Sequence, residues 1–266
     1  MIRRLQRGAA AAITVIAAAV LVVFVGLPLL AVFLRVPVGT MVDQLHSQIA
    51  RDALRVSIKT SLVALAFIVL VGTPVAHLLG TKRFPGRNVI TTILELPLVL
   101  PPAVAGIALF AAFGRMGLLG TQLHALHIRL PFTWIAVVMA QAFVAMPFFV
   151  RQAIAGFASV DQHYVGASRT LGAGPTRSFF RIEVPLAGKS LTAGATLAWA
   201  RALGEFGATA LFAGMLPGVT QTLPLAIYSE FSATNFDSAL AMSALLVAVS
   251  FVILIVTKIL LQWRAV

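Results

Sequence analysis

The sequence predicts an all-α fold: a polytopic membrane helical bundle of six transmembrane helices with a helix–turn–helix loop on its cytosolic side. Three observations lead there. Sixty per cent of the residues are apolar and 11% are charged, with a mean hydropathy of +0.99. That leaves too little polar material to surface a soluble domain of this size. The apolar residues also fall in blocks that reach the ~20 residues a helix needs to cross a bilayer. Finally, the blocks are continuously apolar, whereas barrel strands alternate over about ten residues.

The blocks run Ala9–Leu34, Val56–Leu79, Val89–Phe113, Phe132–Val150, Leu191–Ala213 and Ala239–Leu261. The first follows Arg3, Arg4 and Arg7, as the core of an export signal would. It is 26 residues long, against about 7–15 for a signal core, and its small residues, Ala9–Ala12, lie at the wrong end for cleavage. It is read as a retained span. In the second block Lys59 lies near the outer end, where its stem snorkels. In the third, Glu95 is followed by Pro97, Pro101 and Pro102, which mark a broken helix whose freed carbonyls must line a cavity or be met by neighbours. The fourth block leads into a long polar stretch, Arg151–Lys189. In the fifth, Arg201 and Glu205 lie four apart and share a helix face. No repeat of about 20–50 residues is visible, so residues 1–266 are read as one domain.

Basic residues set the orientation. The N-terminus, the loops after spans two and four and the C-terminus carry thirteen Lys and Arg; the opposite loops carry five, Arg35, Arg51, Arg55, Arg115 and Arg129. Positive residues stay in the cytosol, so both termini are placed inside. The net charge of +12 then reflects cytosolic loops facing anionic lipid and calls for no nucleic acid. With no cysteine there is no disulfide or thiolate metal site. His124 and His127, three apart in an outer loop, read as solvated, and no cofactor is expected.

The 151–189 stretch has internal order. Phe157, Val160, Tyr164, Ala167 and Leu171 recur at three- or four-residue spacing, which predicts an amphipathic helix. Gly172 and Gly174 end it, and Pro175 fits the first turn of a second helix. Phe179, Phe180 and Ile182 give that helix an apolar stripe before Val184-Pro185. Pattern alone leaves two readings open, a helix lying in the headgroups or a docking element for a cytosolic partner.

The run Gly166-Ala-Ser-Arg-Thr-Leu-Gly172, nine residues, then Ile182-Glu-Val-Pro185 resembles the coupling-loop signature of ATP-binding-cassette (ABC) importer permeases: Glu-Ala-Ala, three residues, Gly, nine residues, Ile, any residue, Leu, Pro. Ala167, Gly172, Ile182 and Pro185 match in spacing. Val184 replaces Leu, and Gly166 stands where the signature has Glu. Two more stretches resemble molybdate permeases: Leu96-Pro-Leu-Val-Leu-Pro-Pro-Ala-Val-Ala-Gly106, and Trp199–Thr209 continuing through Gly218-Val-Thr-Gln-Thr-Leu-Pro-Leu-Ala-Ile-Tyr228. Sulfate permeases share Gly204-Glu-Phe-Gly207, while the Thr222–Tyr228 string favours molybdate or tungstate.

The resemblance implies a type I importer permease in the cytoplasmic (inner) membrane, a homodimer on two copies of an ATPase and fed by an external oxyanion-binding protein. In that setting Arg201, held by Glu205, is a candidate for drawing a dianion along the pathway, with Glu95 a further candidate; the other reading of the Arg201–Glu205 pair is structural self-neutralisation. The 35–55 segment and the 214–235 loop would face the receptor. The chain lacks a Gly-x-x-x-x-Gly-Lys-Ser/Thr phosphate loop, so it is expected to be a transport subunit and not an enzyme. Sulfate or thiosulfate is the alternative cargo. A proton-coupled secondary transporter, with Glu95 or Glu205 as proton sites, is the alternative mechanism, and small size, the coupling loop and the lack of visible two-fold symmetry argue against it.

Overall fold

The structure, a computed structural model, describes residues 2–263. Arg264 lies outside them, as do the side chains of Arg3, Arg4, Arg7 and Lys258. Among the described residues all regular structure is helical. The chain runs α1 (Ile2–Leu34), α2 (Val38–His46), α3 (Gln48–Thr81), α4 (Arg87–Val99), α5 (Pro102–Phe113), α6 (Gly120–Ala125), α7 (Trp134–Ala158), α8 (Gln162–Thr170) and α9 (Pro175–Ser178). A π-helical turn (Phe179–Glu183) follows, then α10 (Val184–Leu186), α11 (Gly188–Leu203), α12 (Gly207–Phe212), α13 (Leu223–Ser232) and α14 (Phe236–Trp263).

All six predicted blocks are helical, but only four are single helices long and apolar enough to cross a membrane, namely α1, α3, α7 and α14. The predicted third span, 89–113, is two helices: α4 and α5 meet at a 118° bend. Pro101 and Pro102 supply no N–H and disfavour helical backbone at the residue before them, and Leu100 is extended at ψ 131°. The predicted fifth span, 191–213, is also interrupted, between α11 and α12 at Gly204-Glu205-Phe206. The second and fourth spans are longer than predicted. Ser47 Oγ accepts from Ala50 N (3.1 Å) and starts α3 well before Val56. Thr133 Oγ1 accepts from Ala136 N (3.3 Å) and starts α7 at Trp134, two residues later than predicted, and α7 runs on past Val150 to Ala158.

α7 is the central helix. It packs on α3, α11, α12, α4 and α5. The α3–α7–α11 core is built largely from alanines, Ala64, Ala76, Ala142, Ala145, Ala153, Ala198 and Ala202. Lipid competes for large apolar side chains as well as protein does, so close backbone approach through small residues is what holds such helices together. Gly156 shows how close: a Cβ there would lie 2.5 Å from the Cβ of Ser190. Two polar contacts cross the same faces. Ser61 Oγ accepts from Trp199 Nε1 (3.1 Å), and one turn away Ser57 Oγ accepts from Leu223 N (2.7 Å), fixing the start of α13 on α3. By contrast α1 exposes its apolar side chains from Ile13 onward, and no residue of its span is buried. That surface suits only a lipid or protein neighbour. Lys59 rests its ammonium 4.8 Å from the Trp134 ring centroid, a cation–π contact that anchors its head at the end of α7.

Candidate functional site

Two regions gather the residues the sequence singles out. The first is the segment between α7 and α11. The amphipathic helix predicted from Phe157 starts later than expected, because Phe157 is the fully buried penultimate residue of α7 and Val160 lies in the link. Asp161 sets the new start: its Oδ1 accepts from His163 N (2.9 Å) and caps α8. Gly172 ends α8 with φ 83°. Its N–H donates to Arg169 O (3.0 Å), and Ala173 N donates to Ser168 O (3.0 Å). These paired bonds form a Schellman stop, which requires left-handed backbone at its glycine. The predicted second helix begins at Pro175, as the pattern requires.

The chain then passes through Pro185 without breaking. A regular α-turn would push the proline ring against the carbonyl four residues back. Here the wider π-turn Phe179–Glu183 precedes it and the helix continues.

Two bonds unforeseen from the sequence lock this segment in place. Ser168 Oγ donates to Val165 O (2.8 Å), so Ser178 Oγ supplies the proton in the 2.8 Å bond between the two hydroxyls, joining α8 to α9. Deeper in, His77 Nε2 of α3 donates to Glu183 Oε2 (2.7 Å). Glu183 is buried, and the His77 ring meets Phe157 and Phe179 edge-on at 5.2 and 4.8 Å. This cage ties the π-turn to the lower end of α3. His77 and Glu183 are 106 residues apart, and nothing in their local patterns links them. Outward, the segment shows Tyr164, Leu171, Phe180 and Leu186, with exposed Arg169, Arg177 and Arg181 between them. Of the matched signature residues, Ala167, Gly172 and Pro185 are exposed and Ile182 is half-buried; Gly166 faces open space.

The second region is the pair of helix breaks. Arg201 Nη1 lies 2.6 Å from Glu205 Oε2. The pair forms, but not along one helix face as predicted, since α11 ends at Leu203 and Glu205 sits in the break. The other carboxylate oxygen, Oε1, accepts from Ala208 N (2.9 Å) at the start of α12. Glu205 thus also caps a helix whose first turn favours negative charge. Glu205 is 1% exposed and Arg201 28%, so the carboxylate is enclosed while part of the arginine side chain is accessible. The two breaks lie against each other. A Cβ on Gly207 would come 2.8 Å from Pro102 Cβ, and one on Gly106 2.8 Å from Ala208 O. Glu95 is half-buried on α4, and among the described residues it has no bond to either member of the pair.

Gln141, in the first third of α7, is fully buried, and neither amide atom has a hydrogen-bond partner; the Thr209 hydroxyl on α12 is in the same condition. A buried amide left unpaired costs several kcal/mol in hydrocarbon. A lone Gln inside an apolar span is a signal in its own right, although it belongs to no motif.

Residues 70–265 match the family described as "Binding-protein-dependent transport system inner membrane component". The chain is 41% identical over 236 residues to the Molybdenum transport system permease protein ModB of Mycobacterium tuberculosis, covering 88% of each chain. It is 37% identical to the protein of the same name from Escherichia coli, covering 80% of this chain and 93% of that one. Among solved structures it is similar to a chain of a bacterial ABC transporter involved in the import of the acidic polysaccharide alginate, with a TM-score of 0.76 at 14% identity, covering 98% of this chain and 97% of the other.

Proposed function

We propose a function from the premise that this chain belongs to the family of binding-protein-dependent transport system inner membrane components: it is the membrane subunit of an ATP-driven importer that carries molybdate, or tungstate, into the cytoplasm. The observation that carries this reading is the locked segment between α7 and α11. It presents apolar and basic side chains outward while the Ser168–Ser178 bond joins its two short helices and the His77–Glu183 bond ties it to α3. A lever with that anchorage transmits a push from a cytosolic ATPase dimer to α3 and α11. The cargo assignment rests on the names of the relatives and on the Thr222–Tyr228 string.

The remaining parts of the machine follow. One membrane domain, 1–266, pairs with a second copy of itself, with both termini cytosolic as the basic-residue asymmetry requires and an extracytoplasmic oxyanion-binding protein on the opposite face. Ala167, Gly172, Ile182 and Pro185 belong to the ATPase-coupling element. Arg201 is the pathway cation: its partial exposure, beside a buried Glu205 that holds its base, lets a guanidinium fork meet a tetrahedral dianion in passing. Glu95 is a weaker pathway candidate, because it stands apart from that pair. Reconstitution with the ATPase and the binding protein in proteoliposomes tests the reading. ATP hydrolysis should rise with molybdate-loaded binding protein and not with sulfate-loaded binding protein. Equal stimulation by sulfate would reassign the cargo, and no stimulation by either would refute the importer reading.

A further inference from the structure

We propose that the connection between α5 and α7 holds a binding site for the phosphate group of an anionic membrane lipid. A cavity of about 320 Å³ opens there, walled by Phe110, Phe113 and Phe132 and edged by Arg115, His124 and Arg129. Among the described residues no hydrogen bond or ion pair occupies any of these three basic side chains. No acidic residue occurs between Glu95 and Asp161 in the sequence and none lines the cavity, so its basic edges have no carboxylate among the lining residues to neutralise them.

The cavity is built and not a gap between mobile tails. Leu118 and Leu119 donate their N–H groups back to Ala111 O and Ala112 O (2.9 Å each), folding the loop onto the end of α5. Phe132, in left-handed backbone at φ 62°, stacks edgewise on Phe110 at 6.3 Å. It also closes over Gly214, where an added Cβ would lie 2.9 Å from the Phe132 ring.

Its depth is that of a membrane surface. Trp134, held by Lys59, starts α7 two residues beyond Phe132, and tryptophan and lysine at a helix end mark the headgroup level. In the same connection Met116, Leu118 and Leu126 are 99%, 84% and 67% exposed. Outward apolar side chains interleaved with arginine are the pattern of a segment resting in the interface of anionic lipid. A hydrated inorganic oxyanion would gain nothing from three phenylalanine walls, whereas a lipid phosphate meets the arginines while its glycerol and upper acyl chain cover the rings.

The test uses the purified full chain in neutral detergent, titrated with phosphatidylglycerol, phosphatidylcholine or sodium sulfate, with bound lipid counted by native mass spectrometry. Phosphatidylglycerol should be retained in preference to phosphatidylcholine. The preference should fall by about fivefold for each arginine removed in Arg115→Gln/Arg129→Gln, the effect of one basic group at an anionic surface. It should persist in Arg115→Lys/Arg129→Lys and in Lys82→Gln/Arg83→Gln, which alters basic residues of another loop. Should the glutamine variant not fold, brominated phosphatidylglycerol must still quench Trp134 more than brominated phosphatidylcholine does, in an otherwise unaltered Trp199→Phe/Trp263→Phe chain. Equal retention of the two lipids, equal loss in the Lys82/Arg83 variant, equal quenching, or displacement of the lipid by sulfate at matched ionic strength each overturns the proposal.

Discussion

Glu205 performs two jobs with two oxygens, and they can be separated. Oε1 caps α12 through Ala208 N, and Oε2 balances Arg201. Glu205→Gln keeps an acceptor for the cap but removes the charge, whereas Glu205→Ala removes both. Glu205→Ala loses the cap as well as the pair, so its thermal midpoint should fall further than that of Glu205→Gln. Arg201→Ala, which strands the buried carboxylate, should cost about 3–5 kcal/mol. Arg201→Ala/Glu205→Gln should regain much of the midpoint and the expression level. If Arg201 guides the anion, that double variant assembles with the ATPase yet takes up molybdate slowly; normal uptake would remove Arg201 from the pathway. The His77–Glu183 bond gives a second residue-level prediction. His77→Ala leaves a buried carboxylate unpaired at a cost of about 1–3 kcal/mol, and the thermal midpoint should drop accordingly. His77→Gln, which offers an N–H at similar reach, should restore part of it. Both residues were visible in the sequence as isolated polar groups. Their pairing was not, because it depends on how α3 passes the π-turn.

At the scale of elements, the segment between α7 and α11 depends on one residue's backbone. Gly172 at φ 83° closes the Schellman stop that turns α8 into α9. An L-residue in that conformation costs about 1–2 kcal/mol, and a β-branched one more. Gly172→Val should therefore weaken copurification of the ATPase while leaving membrane insertion intact, which a pull-down at matched expression measures. Gly172→Asn, which tolerates left-handed backbone, should be mild. Undiminished copurification of the valine variant would separate the turn from docking. The glycine and proline punctuation of this segment was legible from sequence because it reports local backbone limits. The true start of α8 was missed for a related reason: Phe157 and Val160 continue the apolar spacing, and the single Asp161 cap that resets the helix carries no periodic signal.

Across the whole molecule, the bundle is held by small residues where α3, α7 and α11 meet. Ala145→Leu overfills a site with no exposed surface and should destabilise by about 1–3 kcal/mol, read as a lower thermal midpoint in detergent; the same change at exposed Ala17 of α1 should be neutral. Reporter fusions test the topology: those after Arg87 and near Pro175 should report cytosol, and those near His127 and Gly218 the opposite side. A cytosolic signal at Gly218 would break that arrangement. The sequence by itself determined that this is a helical membrane protein, where its apolar blocks lie and where the turn at Gly172 falls. Hydropathy, prolines and glycines act through solvent and local backbone, which need no partner. Only the tertiary structure decided that the fifth block is broken as well as the third, that the two breaks pack together around Glu205 and Pro102, that His77 clamps the π-turn, and that two arginines and a histidine edge one cavity. Those outcomes turn on close approach between distant segments, and close approach is a property of packing that no single stretch of residues carries.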